Sequence, residues 1–347
     1  MAAELAQEIA SQSTNLQDRV IELEGQVSLL KFRLDALESG KKSHEDWVYS
    51  APSISEEELQ EMGYDEDAVD EMASVLAEMK NLTNKLRWGC CDKISLGDNI
   101  FSQMLKYHER FLPHWRELCD GIYYLKDDDE LKCFDIMNVE VPNHIVSMIL
   151  KAMRGKRLKI ECIRFEYCNF SPGIGDGEYG IELASLLLNH STVSSLVYAG
   201  DINYHEFNFR PLISAIVKHK SLRSVEINLC NGIVGEEKAS KAGCEMLCSI
   251  LENTELEYVS FQCNCLKVPN DASRMIEALK GCSKLVYLDI SNNAGATGSL
   301  PGWGGKRNEV NADKWRLHIF SEVLKVNPNL TVTVGDFNAN YQIASKK

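Results

Sequence analysis

LEYVSFQCN (256–264) and LVYLDISNN (285–293) repeat one pattern. Apolar residues fill the first, fourth and sixth places and Asn fills the ninth: Leu256, Val259, Phe261, Asn264, then Leu285, Leu288, Ile290, Asn293. Four earlier copies match: Leu131, Phe134, Ile136, Val139; Ile160, Ile163, Phe165, Cys168; Val193, Leu196, Tyr198, Asp201; and Leu222, Val225, Ile227, Cys230. A degenerate seventh begins at Leu330, so the start-to-start spacings are 29, 33, 29, 34, 29 and 45. Each copy is followed by a helical apolar period, as in NHIVSMILKAMRGK (143–156), EYGIELASLLLNH (178–190) and DASRMIEALKGC (271–282). A short strand followed by a helix, at a fixed period, predicts an α/β array. Each strand exposes an apolar edge that only the next unit covers. The strands then form a parallel sheet on the concave side, with helices on the convex side.

This pattern resembles the leucine-rich repeats of the ribonuclease-inhibitor-like class, over roughly residues 131–334. The resemblance implies a leucine-rich-repeat solenoid that recognises a protein on its concave face and loop edges, without catalysis. The ninth place wants a side chain that satisfies loop backbone. Asn264 and Asn293 fit that role, and Cys168 and Cys230 are common substitutes. Val139 and Asp201 depart from the pattern, so the first and third units are looser matches.

Upstream of the array, residues 5–39 read as a coiled-coil helix. Val20, Val27 and Leu34 stand at a, and Leu16, Leu23, Leu30 and Leu37 at d. Val at a with Leu at d favours a parallel two-stranded coil, and Arg19 facing Glu24 and Arg33 facing Glu38 suit a homodimer. An amphipathic helix packed back on the body is the competing reading. Residues 40–65 read as an acidic linker, and residues 43–79 hold twelve acids with no Lys or Arg. Trp47, Val48 and Tyr49 form an apolar island in it. Residues 66–94 read as a second amphipathic helix, 95–130 as a helical N-terminal cap, and 131–347 as the repeat domain.

Strand side chains between the apolar places face the concave surface. Tyr258 and Tyr287 occupy matching places in adjacent units and would lie side by side. With Arg164, Glu226 and Asp289 they are candidate protein-binding residues, since Tyr and Arg are favoured at hot spots. The insertion at 295–312, GATGSLPGWGGKRNEVNA, offers Trp303, Lys306 and Arg307 as a contact loop. GIGDGEYG (173–180) resembles a phosphate cradle but lacks the Gly-Lys-Ser/Thr ending.

The net charge of -14 argues against a nucleic-acid binder. No apolar window approaches the ~18 residues of a membrane span. MAAELAQEIA lacks the features of a signal peptide. The twelve cysteines show no zinc spacing and read as reduced thiols. No catalytic residue, metal or cofactor is expected. The expectation is a cytoplasmic, non-enzymatic adaptor, a parallel homodimer with a protein partner. Two alternatives remain: a GTPase-activating protein of the Ran-regulator type, whose repeat domain this body resembles, and a cytoskeletal or flagellar structural component.

Overall fold

The computed structural model describes residues 48–87, 91–97, 105–125, 130–153, 158–166, 168, 178–201, 210–230, 236–262, 264, 266, 272–293, 316–336 and 339–344. The coiled-coil seam from Leu16 to Leu37 lies outside the described residues. In chain order come α1 (Glu56–Glu61), α2 (Glu66–Arg87), β1 (Lys93–Leu96), α3 (Leu112–Tyr124), β2 (Glu130–Met137), α4 (Asn143–Met153), β3 (Lys159–Glu166) and α5 (Glu178–Asn189). Then follow β4 (Ser195–Asp201), α6 (Arg210–Lys218), β5 (Ser224–Cys230), α7 (Glu236–Ile250), β6 (Tyr258–Ser260), α8 (Ser273–Gly281), β7 (Tyr287–Asp289), α9 (Ser321–Val326), β8 (Thr331–Asp336) and β9 (Ala339–Ala344).

The nine strands form one sheet in chain order. Neighbours are parallel except β8 and β9, which pair antiparallel. The register follows the repeat pattern place for place from β2 to β7, and at β8 it falls one residue earlier than a copy starting at Leu330 would put it. Phe134, Ile163, Leu196, Val225, Val259, Leu288 and Val332 align across the sheet. All seven are buried, and they join helix residues such as Ile149, Leu187, Ile216, Leu247, Leu279 and Val323 in one core cluster. A parallel connection needs a crossover, and each helix supplies one while closing the apolar face of its strand.

Two sets of polar side chains tie each unit to the one before it. At the ninth place, Cys168 donates to the Ile136 carbonyl (3.2 Å), Asn264 to Ile227 (2.6 Å) and Asn293 to Phe261 (2.6 Å). The second set sits three residues before each repeat. His190 contacts the Leu158 carbonyl, His219 the His190 carbonyl, Asn253 the Ile216 carbonyl, Cys282 the Leu251 carbonyl and Asn327 the Cys282 carbonyl. Buried backbone groups need partners, and these side chains provide them at turns where no strand or helix does.

The N-terminal end differs from the sequence expectation in two respects. The sheet begins at β1, inside the stretches assigned to helix and cap. Ile94 and Leu96 align with Phe134 and Ile136, and Cys91 is buried ahead of them, so a repeat-like strand precedes the first recognised copy. Gly97 ends this strand at φ +76°, where a Cβ would collide with the Met137 carbonyl. Second, the acidic linker contains α1. Ser55 accepts from the Glu58 N–H at 3.2 Å while the Glu58 carboxylate accepts from the Ser55 N–H at 2.9 Å, a reciprocal cap that starts a helix despite the charge. The sequence leaves open whether α2 extends the coil or braces the body, and it packs on α3. Its Met72, Val75, Met79, Leu82 and Leu86 are buried, and Arg87 pairs with Glu117 of α3 at 3.1 Å with both side chains buried. Tyr49 from the apolar island bonds His114 of α3 at 2.7 Å, and the Ser50 N–H donates to Glu117 at 3.0 Å. Val48 is exposed and Trp47 lies outside the described residues. At the other end, β9 adds an antiparallel strand that the repeat pattern does not encode.

Candidate functional site: the open sheet face

Successive strand residues point to opposite faces, so the side chains between the core positions share the second face. These side chains are absent from the core cluster, although Asp135, Val197, Ser260, Asp289 and Thr333 along the middle of the face are buried. Two rows cross this open face. One runs Lys93, Cys133, Cys162, Ser195, Ser224, Tyr258, Tyr287, Thr331. The other runs Ser95, Asp135, Arg164, Val197, Glu226, Ser260, Asp289, Thr333.

The structure brings Tyr258 and Tyr287 together. Their rings stack with centroids 5.0 Å apart and planes 13° apart. Strand spacing of ~4.8 Å sets this separation, because both side chains leave equivalent places on neighbouring strands. The Tyr287 hydroxyl meets the Thr333 hydroxyl at 2.8 Å, which fixes the outer ring. Burial, reinforced by the Glu226 carboxylate, pushes the Tyr258 hydroxyl up to about 12. Both rings are half-buried, and the Tyr258 hydroxyl stays neutral across the physiological range.

A polar network braces this platform. Asn228 accepts from the Ser260 hydroxyl (3.0 Å) and the Gln262 N–H (2.9 Å). The Gln262 amide donates to Asp289 at 3.0 Å and accepts from Asn292 at 3.1 Å. Asp289 also accepts from the Ser291 N–H at 2.9 Å, and only 8% of the residue is exposed. Asp289 was expected as a partner contact. Its carboxylate accepts from the turn backbone and the Gln262 amide, and the Tyr287 hydroxyl lies 3.5 Å from it. Gln262, Asn228 and Thr333 brace the platform; the strand pattern already turns Asn228 and Gln262 toward this face, whereas Thr333, in the degenerate last copy, was not a candidate.

Toward the N-terminal strands the face becomes ionic. Lys93 lies 3.6 Å from Asp135, and Arg164 lies 3.9 Å from Glu166. Burial raises the Asp135 carboxyl, against the pull of Arg164 and Lys93. Burial also raises Glu226, with Arg164 opposing and Glu166 and Asp289 adding to it. Arg164 and Glu226 therefore act across the Val197 position, and Arg164 stands among acids rather than alone. Trp303, Lys306 and Arg307, expected to edge this face, lie outside the described residues.

Among the described residues no group of three or more His, Cys, Asp or Glu is placed to hold a metal. No described helix is long and apolar enough to cross a membrane. No protein-family model matches the sequence, and no curated protein does. Among solved structures, the chain is similar to an internalin from Listeria monocytogenes at 14% identity and a TM-score of 0.36. The match covers 73% of this chain and 56% of the internalin chain, so this chain spans little more than half of that protein's length.

Proposed function

We propose that the protein is a non-enzymatic interaction scaffold that binds a protein partner on the open sheet face, centred on Tyr258 and Tyr287. The stacked pair is the observation that carries this reading. Two parallel rings offer a large, rigid contact area at low entropic cost, and Tyr is enriched among residues that dominate binding energy. Glu226 beside Tyr258 suits a partner that lays an Arg or Lys on the rings, since a cation is attracted both to the carboxylate and to the ring face. Arg164, Trp303, Lys306 and Arg307 belong to the same proposed contact surface.

Dimerisation through Leu16, Val20, Leu23, Val27, Leu30, Leu34 and Leu37 is part of the proposal. A parallel coil would present two open faces and add avidity without new contacts. A cytoplasmic setting is likewise proposed. The test is quantitative affinity purification with wild type and the Tyr258→Ala/Tyr287→Ala double variant. A partner retained by wild type and lost by the double variant supports the reading. Equal recovery, with the fold confirmed by circular dichroism, overturns it.

A further inference from the structure

Cys133 and Cys162 occupy the same place in neighbouring units, directly in register on β2 and β3. Both lie on the open face, half-exposed and outside the core cluster. They differ in this from Cys91, Cys119, Cys168, Cys248 and Cys282, which are buried thiols. Adjacent parallel strands sit ~4.8 Å apart, inside the ~4.4–6.8 Å window of Cα separations that a disulfide spans. The two thiols leave matching places on adjacent strands, and Ser195 is the next residue of the same row. Asymmetry follows from this arrangement. The neighbouring Cys133 thiol, then Ser195 and the charge of Arg164, lower the Cys162 thiol below its ordinary value. The same contact, with burial, raises Cys133. One thiol is thus disposed to attack and the other is held protonated beside it.

We propose that Cys133 and Cys162 form a thiol–disulfide exchange site for small disulfides of the glutathione class, with Cys162 as the attacking sulfur and Cys133 as the resolving one. The Cys162 thiolate bonds to one sulfur of the small disulfide, and the other sulfur leaves as a thiolate. Cys133 then gives its proton to solvent and bonds to the Cys162 sulfur, expelling the second small thiolate. Two protein thiols lose two electrons to become one disulfide, and one small disulfide gains them to become two thiols. The site stands four strands from the tyrosine pair and does not depend on partner binding.

The test uses the full chain and oxidised glutathione, with peptide mass mapping after acid quench. Wild type should yield a 133–162 cross-linked peptide. Cys133→Ser should instead hold glutathione on Cys162, and Cys162→Ser should leave Cys133 a free thiol. A stable glutathione adduct on wild-type Cys162, a bridge elsewhere, or no modification at either position overturns the proposal. A second measurement needs no variant. Brief iodoacetamide labelling of the native wild type should modify Cys162 at least about tenfold faster than Cys133, because only the thiolate reacts. Equal labelling rates overturn the assignment of roles.

Discussion

The two faces of the sheet are built by opposite rules. On the closed face every unit repeats the same choice: an aliphatic or aromatic side chain at the fourth and sixth places, buried against a helix. On the open face neighbouring units agree only pairwise, Cys133 with Cys162, Ser195 with Ser224 and Tyr258 with Tyr287, and the pairs differ from one another. Along one row the residues pass from Lys93 through Cys133, Cys162 and two serines to the tyrosines. The closed face must match its neighbours to exclude water, so its chemistry is constrained by packing. The open face is not held to that match, and the proposed binding residues lie among its departures from monotony.

Substitutions on the closed face should be the most damaging. Phe261→Ala removes a fully buried ring between two units and should cost about 3–5 kcal/mol in urea unfolding, without a specific effect on binding beyond the loss of fold. Asn293→Ala comes next. It deletes donors to the Phe261 and Ile290 carbonyls and leaves the N–H groups of Asn264 and Leu266 without their acceptor. Buried groups left unpaired should cost about 2–3 kcal/mol, measured the same way.

Tyr287→Ala should reverse the balance. Stability should fall by about 1 kcal/mol, the scale of an aromatic pair. Partner affinity should fall by about 2 kcal/mol, measured by titration of the purified partner. A variant that loses stability but keeps affinity would make the tyrosine pair a packing feature like those of the closed face.

The smallest effect concerns pH. Glu226 faces Arg164, Glu166, Asp289 and Tyr258, and burial raises its pKa in the folded state. A raised carboxyl binds its proton more readily folded than unfolded, so its stabilising contribution is complete below the unfolded value of ~4.3 and is lost as pH rises through the folded value. Unfolding midpoints of wild type against Glu226→Gln should therefore diverge over that window, with the variant lacking the decline. Parallel profiles would show that the carboxylate is fully solvated.

Legibility followed the same division. The apolar places repeat, so periodicity gave the strand register from Phe134 to Leu288, with the degenerate copy at Leu330 displaced by one residue, and the matched places of Tyr258 and Tyr287 gave their adjacency. β1 escaped because its first place is Cys91 and its unit is long, with α3 in the crossover to β2. β9 escaped because an antiparallel closing strand owes nothing to the repeat. The reciprocal cap of Ser55 and Glu58 was hidden by the surrounding acids. The bonding of Asp289 to Gln262 and the Ser291 N–H was not legible because those partners come together only in tertiary structure. The His190, His219, Asn253, Cys282 and Asn327 series was periodic but chemically mixed, and a search for like residues passes over it.

The central claim is that the open face, at the tyrosine pair, meets the partner. The most direct measurement is photo-cross-linking in the native cell from benzoylphenylalanine placed at 258, with the same group at the exposed Ser214 of α6 as the comparison. The expected result is a discrete protein adduct from 258 and none from 214. An adduct from 214 with none from 258 would contradict the account and move the binding surface to the helices.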